Sequence, residues 1–256
     1  MDKIKSTFKE GSFYKVFLTS LLVTGLGYGI YKGVIDNYMA EIVGMGEFDR
    51  GLAEFFREIP GLLLIIILAA LYMFSAQRLY KLGAVIMLLG MGMLSIVSPT
   101  KLLVTLAVCI YSLGEHIQLG MKNTLSLEYA KENQGGRALG YQNALYQAGT
   151  LVGYGVVIIV FAVLAANKLY KPVFLVATII MAVGAVFSFR IKGNSETDKS
   201  KSRFYFRKKY TKYYMLEVFY GARKQVFFTF GPYVLILFYG ANAAVISMLF
   251  AISAVC

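Results

Sequence analysis

Ionisable side chains stand inside long apolar stretches of this chain, where they are the residues equipped to do chemistry. At membrane depth each costs about 2.5–3.5 kcal/mol to insert, so it is expected to face a cavity or a partner. Lys32 and Asp36 are four residues apart and share one helical face. They read as a cavity-lining pair, or as a lysine snorkelling beside its own helix neighbour. Arg223 and Lys224 fall near the middle of a later run, too deep to snorkel, and an arginine does not shed its proton. They are expected to face a central cleft, or to pair between helices, with Glu217 as one partner.

Glu115 and His116 are adjacent, so they point about 100° apart around a helix. Glu115 and Lys122 are two turns apart and can share a polar face with Gln118 nearby. Carboxylates and histidines screened from water serve as proton relays, which makes Asp36, Glu115 and His116 the proton-coupling candidates. The plainer role for Glu115 is a structural hydrogen bond. Glu54, Arg57 and Glu58, at i, i+3 and i+4, can form an ion-pair cluster with a structural or gating role. Tyr28, Gln142 and Tyr146, with Tyr141, Asn143 and Gln147, offer hydroxyl and amide groups to a polar solute, although such amides also hold helices together. His116 is the one histidine, and Cys109 and Cys256 are the two cysteines, so no metal set and no His-Glu-x-x-His motif is present. No cofactor is expected. An integral-membrane enzyme using Glu115 and His116 as acid and base would need a nucleophile or metal beside them, so the chain is not expected to be an enzyme.

The elements that must position these groups follow from hydropathy. Of 256 residues, 58% are hydrophobic and 16% charged, against about 45–50% and about 25% in soluble domains. That much apolar surface cannot hide in one core, and the runs recur along the whole chain. A crossing helix needs about 20 apolar residues. The runs are 13–39, 52–74, 82–97, 102–119 (continuing as helix to 130), 139–164, 173–189, 213–238 and 243–256. The fold expected is an all-α membrane protein: a six-helix transmembrane bundle (1–190), a basic linker (191–211) and an incomplete second bundle (212–256) holding span seven and part of span eight. The last run reaches about 21 Å, too short to cross, and reads as a truncated helix or a re-entrant one.

Twenty-six Lys and Arg outweigh fourteen Asp and Glu, for a net charge of +12. The excess lies in alternate loops: Lys3, Lys5, Lys9 and Lys15 at the amino terminus, Arg78 and Lys81, Lys131 and Arg137, then nine basic residues between Arg190 and Lys212. By the positive-inside rule these are cytoplasmic, which places the amino terminus there, in an inner (plasma) membrane. The charge is thus topological and implies no nucleic-acid partner. Anionic lipid headgroups are a further partner for the basic linker.

A repeat crosses the linker. Tyr28-Gly29-Ile30-Tyr31-Lys32-Gly33-Val34 and Tyr220-Gly221-Ala222-Arg223-Lys224-Gln225-Val226 share Tyr, Gly, Lys and Val at one offset, and Gly46 faces Gly240 under nearly the same shift. Parallel repeats of this kind mark secondary transporters. The layout resembles the major facilitator superfamily. That family's loop between spans two and three reads Gly-x-x-x-Asp-Arg-x-Gly-Arg-Arg. Here Gln77-Arg78-Leu79-Tyr80-Lys81 keeps Arg78 and a basic Lys81 as gating candidates, while Gln77 and Tyr80 replace the Asp and the second Gly.

The resemblance implies alternating access: a small-molecule solute bound between two rocking bundles. Lys32, Arg223 and Lys224 would favour a polar or anionic organic solute, with Tyr28, Gln142 and Tyr146 beside it and a coupling proton on Asp36, Glu115 or His116. The family also implies symport by a protein that is monomeric when full length. The alternative is a non-transporting scaffold or receptor-like protein, whose buried charges would pair and leave no polar cavity.

Overall fold

The computed structural model describes residues 2–163, 169–192 and 207–255, with the side chains at 2, 3, 163, 222 and 224 outside that description. The sequence-defined linker therefore lies mostly outside the described residues, as do Cys256 and the side chain of Lys224. Among the described residues ten α-helices follow in order: α1 (Asp2–Thr7), α2 (Tyr14–Asn37), α3 (Glu47–Leu62), α4 (Leu64–Ala70), α5 (Ala76–Ile96), α6 (Lys101–Tyr129), α7 (Gly135–Val163), α8 (Tyr170–Phe189), α9 (Thr211–Tyr239) and α10 (Ala243–Val255). Among the described residues there is no strand, only a single antiparallel bridge between Phe8 and Ala130.

Apolar sequences become helices here because a lipid-facing backbone must satisfy its own hydrogen bonds. The chain is inside-out relative to a water-soluble bundle. Phe48 is 82% exposed, and Leu62, Ile96 and Leu102 are similarly bare, while Asp36, Arg50 and Glu54 are 1%, 4% and 7% exposed. Among the described residues, five helices are long and apolar enough to cross a membrane: Tyr14–Ile42, Ala76–Ile96, Lys101–Tyr129, Gly135–Ala162 and Tyr170–Phe189. The protein is thus a multi-pass membrane protein. The expected six-plus-two count is not what this criterion returns. α9 falls outside that set and carries Glu217, Arg223 and Lys224 along its 29 residues, and α10 has 13 residues.

The run read as span two is two helices, α3 and α4, that break at Leu63. Pro60 is the cause. It has no N–H to give the Phe56 carbonyl and weakens the helix there. The neighbouring helix α6 repairs the loss: the Cys109 thiol donates to the Phe56 carbonyl at 3.4 Å, and Ser112 Oγ donates to the Arg57 carbonyl at 2.6 Å. α2 ends instead in one wide turn, Tyr38–Ile42, where the Val43 N–H reaches back to the Tyr38 carbonyl at 3.1 Å.

α2 packs lengthwise on α7 and α8, α5 on α6 and α8, and α3 on α6, while α10 lies across α7 and α2. The α2–α7 contact is made by glycines. A Cβ at Gly25 or Gly29 would strike the backbone of Tyr146 or Thr150, and one at Gly149 or Gly153 would strike that of Leu22 or Leu26. Small residues let two backbones approach this closely. Tyr154, Ile236, Ile246 and Phe250 form a separate apolar cluster joining α7 to α9 and α10.

Gly240 closes α9 in the left-handed conformation (φ 65°) and turns the chain into α10. Its counterpart in conformation after α2 is Gly44 (φ 68°), whereas Gly46 is extended. The sequence pairing of Gly46 with Gly240 therefore does not extend to backbone conformation.

Candidate functional site

A cavity of about 590 Å³ lies between α2, α3, α6 and α7 on one side and α9 and α10 on the other. Helical spacing in each element turns its polar groups inward. From α2 come Tyr28, Tyr31, Lys32 and Asp36; from α3, Arg50, Glu54, Arg57 and Glu58; from α6, Glu115, His116, Gln118 and Lys122. Tyr146, Gln147, Thr150 and Tyr154 on α7 form the facing wall, and Gln225, Phe228, Thr229 and Phe250 complete it from the second bundle.

Six of these charges alternate along one continuous ladder. Lys32 Nζ is 3.0 Å from Asp36 Oδ2, and Arg50 Nη2 is 3.0 Å from Asp36 Oδ1. Arg50 Nη1 then reaches Glu54 Oε2 at 2.7 Å, Glu54 Oε1 accepts from Arg57 Nη2 at 2.6 Å, and Arg57 also pairs with Glu58. Buried ions survive only when paired and hydrogen-bonded, and each rung meets that demand. The Gln225 amide on α9 also donates to Glu54, and its Nε2 lies 3.3 Å from Thr229 Oγ1. The ladder thereby touches the second bundle.

Glu115 stands at the ladder's edge, 4.0 Å from Arg57 Nη1. His116 has its Nδ1 2.8 Å from the Ser112 carbonyl and its Nε2 3.9 Å from Glu58 Oε2. Lys122 Nζ lies over the Tyr146 ring, 4.9 Å from its centroid, and Lys32 Nζ lies over Phe250 at the same distance. The Arg50 guanidinium sits 5.7 Å from the Tyr233 ring centre.

The hydrogen bonds joining α9 and α10 to α2 and the turn after it cluster at the end of the bundle away from the amino terminus. Asn37 Nδ2 donates to the Ala241 carbonyl at 2.8 Å, Tyr233 OH to the Met45 carbonyl at 2.9 Å, and Ser247 Oγ to the Gly33 carbonyl at 3.2 Å. At that same end Lys101 Nζ meets Asp49 at 2.7 Å. That hydrogen bond, helped by the Gly46 N–H, holds the Asp49 carboxyl below the usual carboxylate range.

Of the residues singled out from sequence, the fold brings Tyr28, Lys32, Asp36, Glu54, Arg57, Glu58, Glu115, His116 and Tyr146 to this one cavity. Gln118, Lys122 and Gln147 line it too, whereas Gln142, Arg78, Lys81 and Arg223 do not, and the side chain of Lys224 lies outside the described residues. Gln142 is buried one helical turn before Tyr146, outside the cavity lining, its amide donating to Asn123 Oδ1 at 2.6 Å. Arg78 is exposed and Lys81 half-buried at the start of α5, away from the cavity. Arg223 is exposed, its guanidinium 5.4 Å from the ring centre of Tyr220, itself 56% exposed. Tyr28 and Tyr220, paired in the repeat, are thus placed differently, and on α9 it is Gln225 that lines the cavity. Glu217 hydrogen-bonds with Tyr213 on its own helix.

Sequence reasoning overlooked Arg50, read as part of an outer connector. Its spacing of four from Glu54 and seven from Arg57 was the available signal, since those intervals align on one helical face. Gln225, Thr229 and Phe250 had no such signal.

A profile of the Major Facilitator Superfamily matches residues 17–255. No curated protein matches the sequence. Among solved structures, the nucleoside transporter NupG is similar with TM-score 0.68 and 16% identity, over 95% of this chain and 64% of that one. A POT family transporter in complex with a thioalcohol conjugated peptide is similar with TM-score 0.60 and 15% identity, over 96% and 52%. A structure described for substrate recognition in proton dependent oligopeptide transporters gives 0.57 and 14%, over 94% and 54%. At these identities the likeness is one of fold, and the chain spans between about half and two thirds of the solved relatives' length.

Proposed function

Because this chain belongs to the Major Facilitator Superfamily, we propose that it forms part of a secondary active transporter moving a small polar or anionic organic solute by alternating access with a coupling proton. The observation that carries this reading is the charged cavity between the first bundle and α9–α10, lined from both sides. A scaffold with paired charges and no cleft would lack that space, which counts against the alternative. The solved relatives named for nucleosides and for proton dependent oligopeptide transport lend support of the same kind.

In this reading residues 1–190 are one rocking unit and α9–α10 begin the other. The amino terminus and the basic segments around 190–212 lie on the cytoplasmic side of an inner membrane. The hydrogen bonds of Asn37, Tyr233 and Ser247 then close the outer side, so this is the inward-facing arrangement. Arg78 and Lys81, at the start of α5, lie on the cytoplasmic side away from the cavity lining. Tyr28, Tyr146 and Lys32 meet the solute, and the full-length protein works as a monomer in contact with membrane lipid.

For the proton, Asp36 is locked between Lys32 and Arg50, whereas Glu115 has one cation at 4.0 Å that is already shared. Glu115 is therefore the coupling carboxylate, with His116 beside it as the second candidate. The full-length protein in proteoliposomes loaded with a pH-sensitive dye should acidify the lumen when its solute is added outside. Glu115→Gln should cut that signal by about tenfold or more, equivalent to about 1.4 kcal/mol of lost coupling, while Gly155→Ala, whose Cβ meets open space, should keep it. Acidification at the wild-type rate in Glu115→Gln would remove Glu115 from the pathway, and no solute-dependent acidification from any organic anion tested would overturn proton coupling.

A further inference from the structure

The cavity's charges balance in number, four cations (Lys32, Arg50, Arg57, Lys122) against four carboxylates (Asp36, Glu54, Glu58, Glu115), but not in partnership. Three cations and three carboxylates are used up in the ladder. Glu115 borders it through Arg57. Lys122 alone among these cations has no carboxylate within ion-pair distance among the described residues. Its ammonium instead rests on the face of Tyr146, 4.9 Å from the ring centre. A cation over an aromatic face in a partly dehydrated site keeps most of its capacity to bind an anion, because the ring supplies only a fraction of the stabilisation lost with water.

We propose that Lys122 is the anchor for the acidic group of an organic anion. The Lys122–Tyr146 juxtaposition holds the carboxylate or phosphate, and the tyrosines Tyr28, Tyr146 and Tyr154 flank a planar or hydroxylated body. This moves the positive pole of the site from Lys32 and Arg223 to α6. Lys32 is neutralised by Asp36, and Arg223 lies outside the lining. Charge-assisted hydrogen bonds to an ammonium exceed neutral ones in strength, so the one uncommitted ammonium among the described lining residues dominates selection by charge. Tyr28 and Tyr146, with ring centres 5.8 Å apart and planes inclined by 39°, present two aromatic faces beside it.

The inference rests on the cavity being the solute's path, as proposed above, and the test separates the two. Calorimetric titration of the detergent-solubilised full-length protein uses four probes with a common hydroxyphenyl body: 3-(4-hydroxyphenyl)propionate (anion), tyrosine (zwitterion), tyramine (cation) and 4-ethylphenol (neutral). The propionate should bind tightest. Lys122→Gln should weaken it about 10- to 100-fold, as expected for loss of a charged hydrogen bond, and leave 4-ethylphenol little changed. Lys122→Arg should restore most of the affinity, which guards against a folding defect in the Gln variant. Equal binding of all four probes, binding of none, or a propionate affinity indifferent to Lys122→Gln would overturn the proposal. So would tyrosine binding tighter than the propionate and losing that advantage in Glu115→Gln, since the site would then select zwitterions. Binding requires no rocking of the bundles. Anion-selective binding without transport would sink the transport reading and leave this one standing, and transport with charge-indifferent binding would do the reverse.

Discussion

Replacing Arg50 by Gln is expected to destabilise the protein by about 3–5 kcal/mol, the cost of removing one member of a buried ion pair and stranding the other. Arg50 is 4% exposed and serves two carboxylates at once, Asp36 at 3.0 Å and Glu54 at 2.7 Å. Without it, Asp36 keeps Lys32 and Glu54 keeps Arg57, but each retains one cation where it had two. The loss also cuts the connection between α2 and α3 at the end where the second bundle attaches. The check is the fraction of protein remaining monodisperse after graded heating in detergent. The double variant Arg50→Gln/Asp36→Asn should recover part of the loss, because it removes a charge that the single variant leaves uncompensated. A single variant that melts with the wild type would mean that the ladder does not support the fold.

Gly149→Val is the second large effect, expected to cost about 3 kcal/mol or more as overpacking against atoms that cannot rotate away. A Cβ at Gly149 meets the Leu22 carbonyl and the Leu26 N–H at 2.9 Å, and one at Gly153 meets the Leu26 carbonyl at 2.5 Å and the Ile30 N–H at 2.8 Å. These neighbours are backbone within a continuous helix, so relief requires α2 and α7 to separate along their length. Since α2 also packs on α8, the separation would disturb the whole first bundle. Gly155→Val, two residues past Gly153, is the control: nothing lies within 4 Å of its Cβ. Size-exclusion profiles of the two variants should differ sharply, with Gly155→Val matching wild type. Equivalent profiles would show that the close α2–α7 approach is dispensable.

These two variants also mark where one-dimensional reasoning succeeds. Gly25, Gly29 and Gly33 are spaced by four in the sequence, and that period alone defines one helical face whatever the face meets. The identity of its partner, α7, and the reciprocal stripe of Gly149 and Gly153 emerge only when the helices are placed. Arg50 was misassigned to a connector because hydropathy, not helical register, drew the boundary of span two. Pro60 split that span into α3 and α4, and the carbonyls it released were claimed by Cys109 and Ser112 from a helix about 50 residues away.

Composition and hydropathy by themselves determined that this is an all-helical membrane protein, and helical spacing determined which groups could share a face: Lys32 with Asp36, Glu54 with Arg57, Glu115 with Lys122. Those relations are local, set by 3.6 residues per turn and a bilayer that forces the backbone into helix. The rotation of each helix about its own axis is decided by packing against neighbours distant in the chain, and it alone determined that Arg50 bridges Asp36 to Glu54, that Gln225 rather than Arg223 turns inward from α9, and that Lys122 is left without a carboxylate among the described residues.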